Sequence, residues 1–116
     1  VIGDHCRVGD YVEVKNATLG DYTKAAHLAY IGDATIGKDT NVGCGTVFAN
    51  YNGRIKQHTT VGDNVFIGAN TNLIAPVVIE DEAYIAAGST VTHDVQQGAF
   101  CIARARQVVK QNYIRK

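Results

Sequence analysis

Tryptophan and methionine are absent from these 116 residues, proline occurs once, and aromatic residues make up only 8%. A single proline excludes a polyproline or collagen-like rod. No apolar run approaches the roughly 18 residues that a membrane-spanning helix needs, and the opening residues show no basic stretch followed by an apolar one, as a secretory leader would. No membrane contact and a cytoplasmic location are the expectations. The three cysteines, Cys6, Cys44 and Cys101, are odd in number and form no Cys-x-x-Cys pair. Free thiols in a reducing compartment, used for packing, fit that pattern better than a metal site or a nucleophile. The chain also lacks net charge, but not evenly: residues 1–94 hold eleven acids and six bases, whereas Arg104, Arg106, Lys110, Arg115 and Lys116 follow with no acid among them. Such a tail is expected to attract an anion.

What is present is aliphatic residues and glycine. At 46% hydrophobic the chain is long enough for one cored domain and too short for two ordinary ones. Aliphatic or aromatic residues recur at Ile2, Val8, Val14, Leu19, Ala25, Ile31, Ile36, Val42 and Phe48, then at Val61, Ile67, Leu73, Ile79, Ile85 and Val91, almost always six apart. Glycine often follows them, and four places on stands a small or β-branched residue such as Cys6, Val12, Thr23, Thr35, Thr40, Thr46, Val65, Thr71 or Ser89. A period of six suits neither a helix nor a heptad, and Val, Ile and Thr favour strands. The pattern therefore predicts an all-β parallel β-helix: three hexapeptides per triangular coil, about five coils, aliphatic residues inside. Handedness does not follow from the repeat.

Two steps of five, Val14 to Leu19 and Ile31 to Ile36, interrupt the period without an assigned purpose. One step of thirteen, Phe48 to Val61, predicts a loop over residues 50–60 thrown out of the prism, turning at Asn52-Gly53. After Val91 the pattern stops. The expected division is a prism over residues 1–99 and a tail over 100–116.

The outward positions of KAAHLAYIGD, Lys24 to Asp33, carry a Lys, a His and a Tyr in close succession. VEVKNATLG, KAAHLAYIGDATIG and NVGCGTVFANYNG, in that order and with a Lys soon after, resemble the C-terminal acetyltransferase domain of the bacterial bifunctional N-acetylglucosamine-1-phosphate uridyltransferase and glucosamine-1-phosphate N-acetyltransferase. The resemblance covers nearly the whole chain. It implies a left-handed β-helix and transfer of acetyl from acetyl-CoA to the amine of glucosamine-1-phosphate, feeding UDP-N-acetylglucosamine and cell-wall peptidoglycan synthesis. The uridyltransferase domain and an arginine on the coil before Ile2 are not expected in this chain.

The same resemblance assigns the residues. His27 is the general base, as suits an imidazole that titrates near neutrality facing an ammonium that must lose a proton before it attacks. Glu13, one coil below, orients or polarises it. Lys15, Tyr30 and Lys56 meet the sugar phosphate, and Asn41, Asn50 and Tyr51 meet the sugar, Asn50 near the amine. Ala69 and Ala87 border the coenzyme cleft, Ala69 standing where the family often has Ser, and Arg104 meets the coenzyme phosphates. No metal and no nucleic acid are expected. Ala25 and Leu28 are expected to hold the His27 segment from inside. Because His27 falls on one set of hexapeptides and Lys15 and Asn50 on the next, the site is expected between subunits of a homotrimer, with the Lys56 loop reaching a neighbour. Three other readings stay open: another hexapeptide acyltransferase, a zinc enzyme on a similar prism, for which His5, His27, His58 and His93 lack the spacing, and a non-catalytic trimeric scaffold.

Overall fold

The computed structural model describes residues 1–113; of the basic tail, Arg115 and Lys116 lie outside the described residues. Among the described residues eleven strands form one parallel stack: β1 (Arg7–Leu19) and β2 (Lys24–Ile36), each running round all three sides of a prism, then the short β3 (Asn41–Val42), β4 (Val47–Ala49), β5 (Thr59–Val61), β6 (Phe66–Ile67), β7 (Asn72–Ile74), β8 (Val78–Ile79), β9 (Tyr84–Ile85), β10 (Thr90–Val91) and β11 (Phe100–Cys101). Each strand pairs with the one a full coil away. Phe48 and Leu73 stack on the second side, and Leu73 and Val91 follow. On the third side Ile36, Val61 and Ile79 stack, capped by Val95. On the first, Val42, Ile67, Ile85 and Cys101 follow one another.

The interior is a column of aliphatic residues, with Ile31, Phe48, Ile67, Leu73, Ile79 and Ile85 at zero exposure. Each contributes about 1.5–3 kcal/mol by leaving water. Threonines line the same interior. Thr23 Oγ1 donates to the Gly37 carbonyl at 2.6 Å and Thr40 Oγ1 to that of Gly62 at 2.9 Å, while the Cys6 thiol takes the equivalent place against Gly20 at 3.0 Å. Corner carboxylates stitch the coils from outside: Asp21, Asp63, Asp81 and Asp94 each accept a backbone N–H from the adjacent coil. The three cysteines are free.

Corners are made by residues with left-handed backbones, and these stack into columns. One edge, between the first and second sides, holds Tyr11, Leu28, Gly45, Asn70 and Gly88; the edge between the third and first holds His5, Tyr22, Asp39, Asn64, Glu82 and Gly98. The third edge carries Asn16 and Asp33.

Four expectations need correction. Ile2 and Val8 are 48% and 38% exposed, because no coil lies beneath them in this structure. Thr35 faces outward, since a five-residue step brings Ala34 into the interior instead, 1% exposed. Leu28 is 58% exposed at its corner, and Ala29 is the buried residue beside it. The prism does not stop at residue 99. Val95 is buried, β11 pairs with β9, and the Thr90 N–H donates to the Ala103 carbonyl at 2.8 Å. This last full coil repeats after 16 residues, which hides it from a search at intervals of six.

Candidate active site

His27 sits exposed just before the Leu28 corner, stacked over Asp10. The Gly45 N–H donates to the Leu28 carbonyl, the Asn70 N–H to that of Cys44 and the Gly88 N–H to that of Ala69. His27, Cys44, Ala69 and Ala87 thus occupy the same place on four successive coils. At about 4.8 Å per coil, Ala87 lies some 14 Å along the edge from His27. Arg104 reaches back to this edge, donating from Nη1 to the Ala87 carbonyl. Ala69, Ala87 and Arg104 therefore share the edge on which His27 stands.

The second side carries an open groove of about 500 Å³ starting at this edge, lined by Tyr11, Glu13, Leu28, Tyr30, Val47 and Asn70. Glu13 stacks beneath Tyr30, not beneath His27. Strand alternation turns Glu13 outward on the groove floor, so the carboxylate bordering His27 along the prism is Asp10, and Glu13 faces the groove.

At the far edge of the same side the phosphate and sugar candidates come together around a residue that the sequence reading did not single out. Asp33 is 8% exposed. Its Oδ1 accepts Asn16 Nδ2 at 2.5 Å and its Oδ2 accepts Asn50 Nδ2 at 2.7 Å, and the same Asn50 nitrogen donates to the Tyr30 hydroxyl at 3.2 Å. The Asn16 and Asn50 amides hold the Asp33 carboxyl below the usual carboxylate range; burial opposes them, and the charges of Lys56 and Lys15 add to the lowering. Gly32 is buried because the Tyr30 hydroxyl and the Asn50 amide lie where a Cβ would be.

The ejected segment is a hairpin that folds back onto its own prism. Tyr51 pairs antiparallel with Lys56, the Gln57 N–H donates to the Asn50 carbonyl at 2.7 Å, and Asn52 Oδ1 accepts the Arg54 and Ile55 N–H groups around Gly53, whose φ is 95°. His58 and Thr35 share a hydrogen bond of 2.9 Å. The Lys56 loop also bears on its own chain, where the Lys56 charge acts on Asp33.

Lys15, Tyr30, Asn50 and Lys56 thus gather within one chain. His27 stands at the opposite edge of their side, and Asn41, on β3, lies round the corner on the first side. Tyr51 is 61% exposed on the hairpin. Of the other histidines, His5 stacks on Tyr22 at 4.9 Å and His93 is exposed, so the four do not converge within the chain. No helix among the described residues is long and apolar enough to cross a membrane.

A signal for Asp33 does exist in the sequence. Asn16, Asp33 and Asn50 are 17 residues apart, and the two five-residue steps and the long step all fall on this one edge. The irregularities of the repeat mark the site.

A family model described as bacterial transferase hexapeptide (six repeats) matches residues 58–93. The bifunctional protein GlmU of Clostridioides difficile (strain 630) is 56% identical over 115 residues, which are 99% of this chain and 25% of that protein; the chain thus spans about a quarter of the length of the curated relatives it matches. Among solved structures, the acetyltransferase domain of PglB from Neisseria gonorrhoeae in complex with acetyl coenzyme A superposes with a TM-score of 0.79 at 17% identity, covering 89% of this chain and 48% of that one. PerB from Caulobacter crescentus in complex with CoA and GDP-perosamine gives 0.78 at 20%, covering 88% and 47%. At those identities the likeness is one of fold. With no helix among the described residues, stacked parallel coils and these neighbours, the chain folds as a left-handed parallel β-helix built of hexapeptide repeats, and its sequence is similar to a quarter of the length of bifunctional GlmU.

Proposed function

We propose that this chain is a glucosamine-1-phosphate N-acetyltransferase that uses acetyl-CoA as donor. The observation that carries the reading is the arrangement of one side of the prism: a small-residue track ending at Arg104 meets His27 on one edge, and Lys15, Tyr30, Asn50 and Lys56 cluster on the other, in a chain 56% identical to part of a bifunctional GlmU. Solved neighbours carrying acetyl coenzyme A, or CoA with GDP-perosamine, support an acyl donor lying along such an edge.

In this reading the pantetheine arm lies along Ala87, Ala69 and Cys44 with its phosphates toward Arg104, and the sugar phosphate is held by Lys15 and Lys56 with the Tyr30 hydroxyl. His27 takes a proton from the substrate ammonium, since only the neutral amine has the lone pair to attack a thioester. The nitrogen bonds to the acetyl carbon and sheds a second proton, which goes to the departing thiolate as the C–S bond breaks to leave free CoA, while the proton held by His27 passes to solvent. Glu13 on the groove floor faces the positive charge that develops at the amine.

Asn41 joins such a site only from a second chain, which supports a homotrimer with sites between subunits. A monomer in sedimentation at micromolar concentration would remove Asn41 from the site. Cytoplasmic location accords with an acetyl-CoA donor and free thiols. The deciding assay is release of CoA thiol from acetyl-CoA with and without glucosamine-1-phosphate; no stimulation by the sugar phosphate sinks the reading. A non-catalytic scaffold predicts that result.

A further inference from the structure

We propose that Asp33 is a positioning residue that fixes the hydrogen-bond polarity of the acceptor site, turning the Asn50 carbonyl oxygen and the Tyr30 hydroxyl proton outward toward substrate. The proposal rests on the acetyltransferase reading for the identity of that substrate, and on the geometry alone for the polarity.

An ionised carboxylate only accepts hydrogen bonds. Asp33 Oδ1 is met by the Asn16 amide and Oδ2 by the Asn50 amide, so both asparagines must aim their NH2 groups at it. The usual ambiguity in the orientation of an asparagine amide is therefore removed by chemistry. The second proton of Asn50 Nδ2 goes to the Tyr30 oxygen. Two consequences follow. Asn50 Oδ1 is left facing away from Asp33 as an acceptor, and the Tyr30 oxygen, already accepting, keeps its own proton to donate. A sugar bearing an amine and a phosphate needs that pair: an acceptor for N–H and a donor for a phosphate oxygen. Lys15 and Lys56 place positive charge beside the same carboxylate, which keeps it ionised and accepting.

Corner acids elsewhere in the prism do something different. Asp21, Asp63, Asp81 and Asp94 accept backbone N–H groups and stitch coils together, whereas the hydrogen bonds of Asp33 all come from side chains. Asn16 and Asn50 lie one coil below and one above it, so a single buried carboxylate orients amides on the two adjacent coils.

The test is Asp33→Asn in the full chain. Its shape is unchanged, but an amide offers one acceptor and one donor end, so one of the two asparagines must turn over or lose its partner. The expected result is a fall of about 10- to 100-fold in kcat/KM for glucosamine-1-phosphate, the scale of a mispaired polar group in a closed site, with the KM for acetyl-CoA unchanged. Equal loss toward both substrates, or parental kinetics, overturns the proposal. Proton exchange of the Asn50 side-chain NH2, followed by NMR in the parent protein, reads the polarity without turnover: slow exchange is expected, and exchange as fast as that of the exposed Asn72 overturns it. That measurement also decides the matter if the variant does not fold. Should the parent release no CoA with glucosamine-1-phosphate, the substrate reading fails while slow exchange at Asn50 still upholds the orienting carboxylate.

Discussion

Gly32→Ala separates the site from the fold, and its effect follows from three contacts. A Cβ at Gly32 would meet the Tyr30 hydroxyl, and would lie 2.6 Å from both Asn50 Nδ2 and Tyr30 Cζ, where ordinary contact begins at 3.4 Å. About 1 Å of movement is required, and the groups that must move are side-chain ends. The Gly32 backbone is not in the left-handed region, so alanine itself brings no strain. The fold is expected to yield with a cost of about 1 kcal/mol, while Tyr30 and Asn50 shift by enough to lose about 10²-fold in kcat/KM for glucosamine-1-phosphate, the usual effect of a 1 Å misplacement. Gly9→Ala is the contrast. Its Cβ would run into the Ala26 carbonyl, with the carbonyl carbon 2.6 Å away, and backbone cannot step aside. About 1–3 kcal/mol of stability should go, lowering the melting temperature by roughly 5 °C or more. Thiol-release kinetics and thermal melts on the two variants decide it. If Gly32→Ala keeps parental kinetics, or melts as early as Gly9→Ala, the packing of Tyr30 and Asn50 over Gly32 is not what positions the acceptor site.

Replacing His27 with alanine should lower turnover by about 10²–10⁴, the contribution of a positioned base, and leave the melt unchanged because the side chain is exposed and stacks over the surface residue Asp10. Partial recovery at higher pH, where more of the amine is already neutral, is expected; turnover within a few fold of the parent at neutral pH excludes the role. Deleting the chain from Arg104 onward should weaken acetyl-CoA binding about fivefold or more, the upper range for an exposed ion pair, with the difference shrinking at high salt; unchanged affinity in calorimetry means that the tail is not a phosphate contact. Asp33 has a pKa lowered in the folded chain, so its contribution to stability is present above the ordinary carboxylate value and is lost as pH falls through the lower folded one. Acid melts below about pH 4 should therefore be steeper for the parent than for Asp33→Asn, and identical slopes count against the buried anion.

Sequence alone determined the prism. A period of six with Val, Ile and Thr calls for a geometry that buries one aliphatic residue per step, as it does from Leu19 to Val91, and Phe48, Leu73 and Val91 stack as the spacing requires. It also determined the turn at Asn52-Gly53, since a chain reversing so tightly needs a residue free to take φ of 95°, and the ordered motifs around His27 and Asn50 pointed to acetyl transfer. Tertiary structure alone decided which residues meet. Whether Asn16, Asp33 and Asn50 touch depends on coil length: at the ideal eighteen residues per coil each would slip one place against the next, and alternation would turn the carboxylate away from the amides. The two shortened steps set the coil at 17 residues, bringing all three onto one edge, the edge from which the long step throws out the hairpin with Lys56. Those steps read as flaws in a linear pattern. Their consequence exists only between coils, because a hydrogen bond along the prism axis joins residues that the chain separates by a full turn.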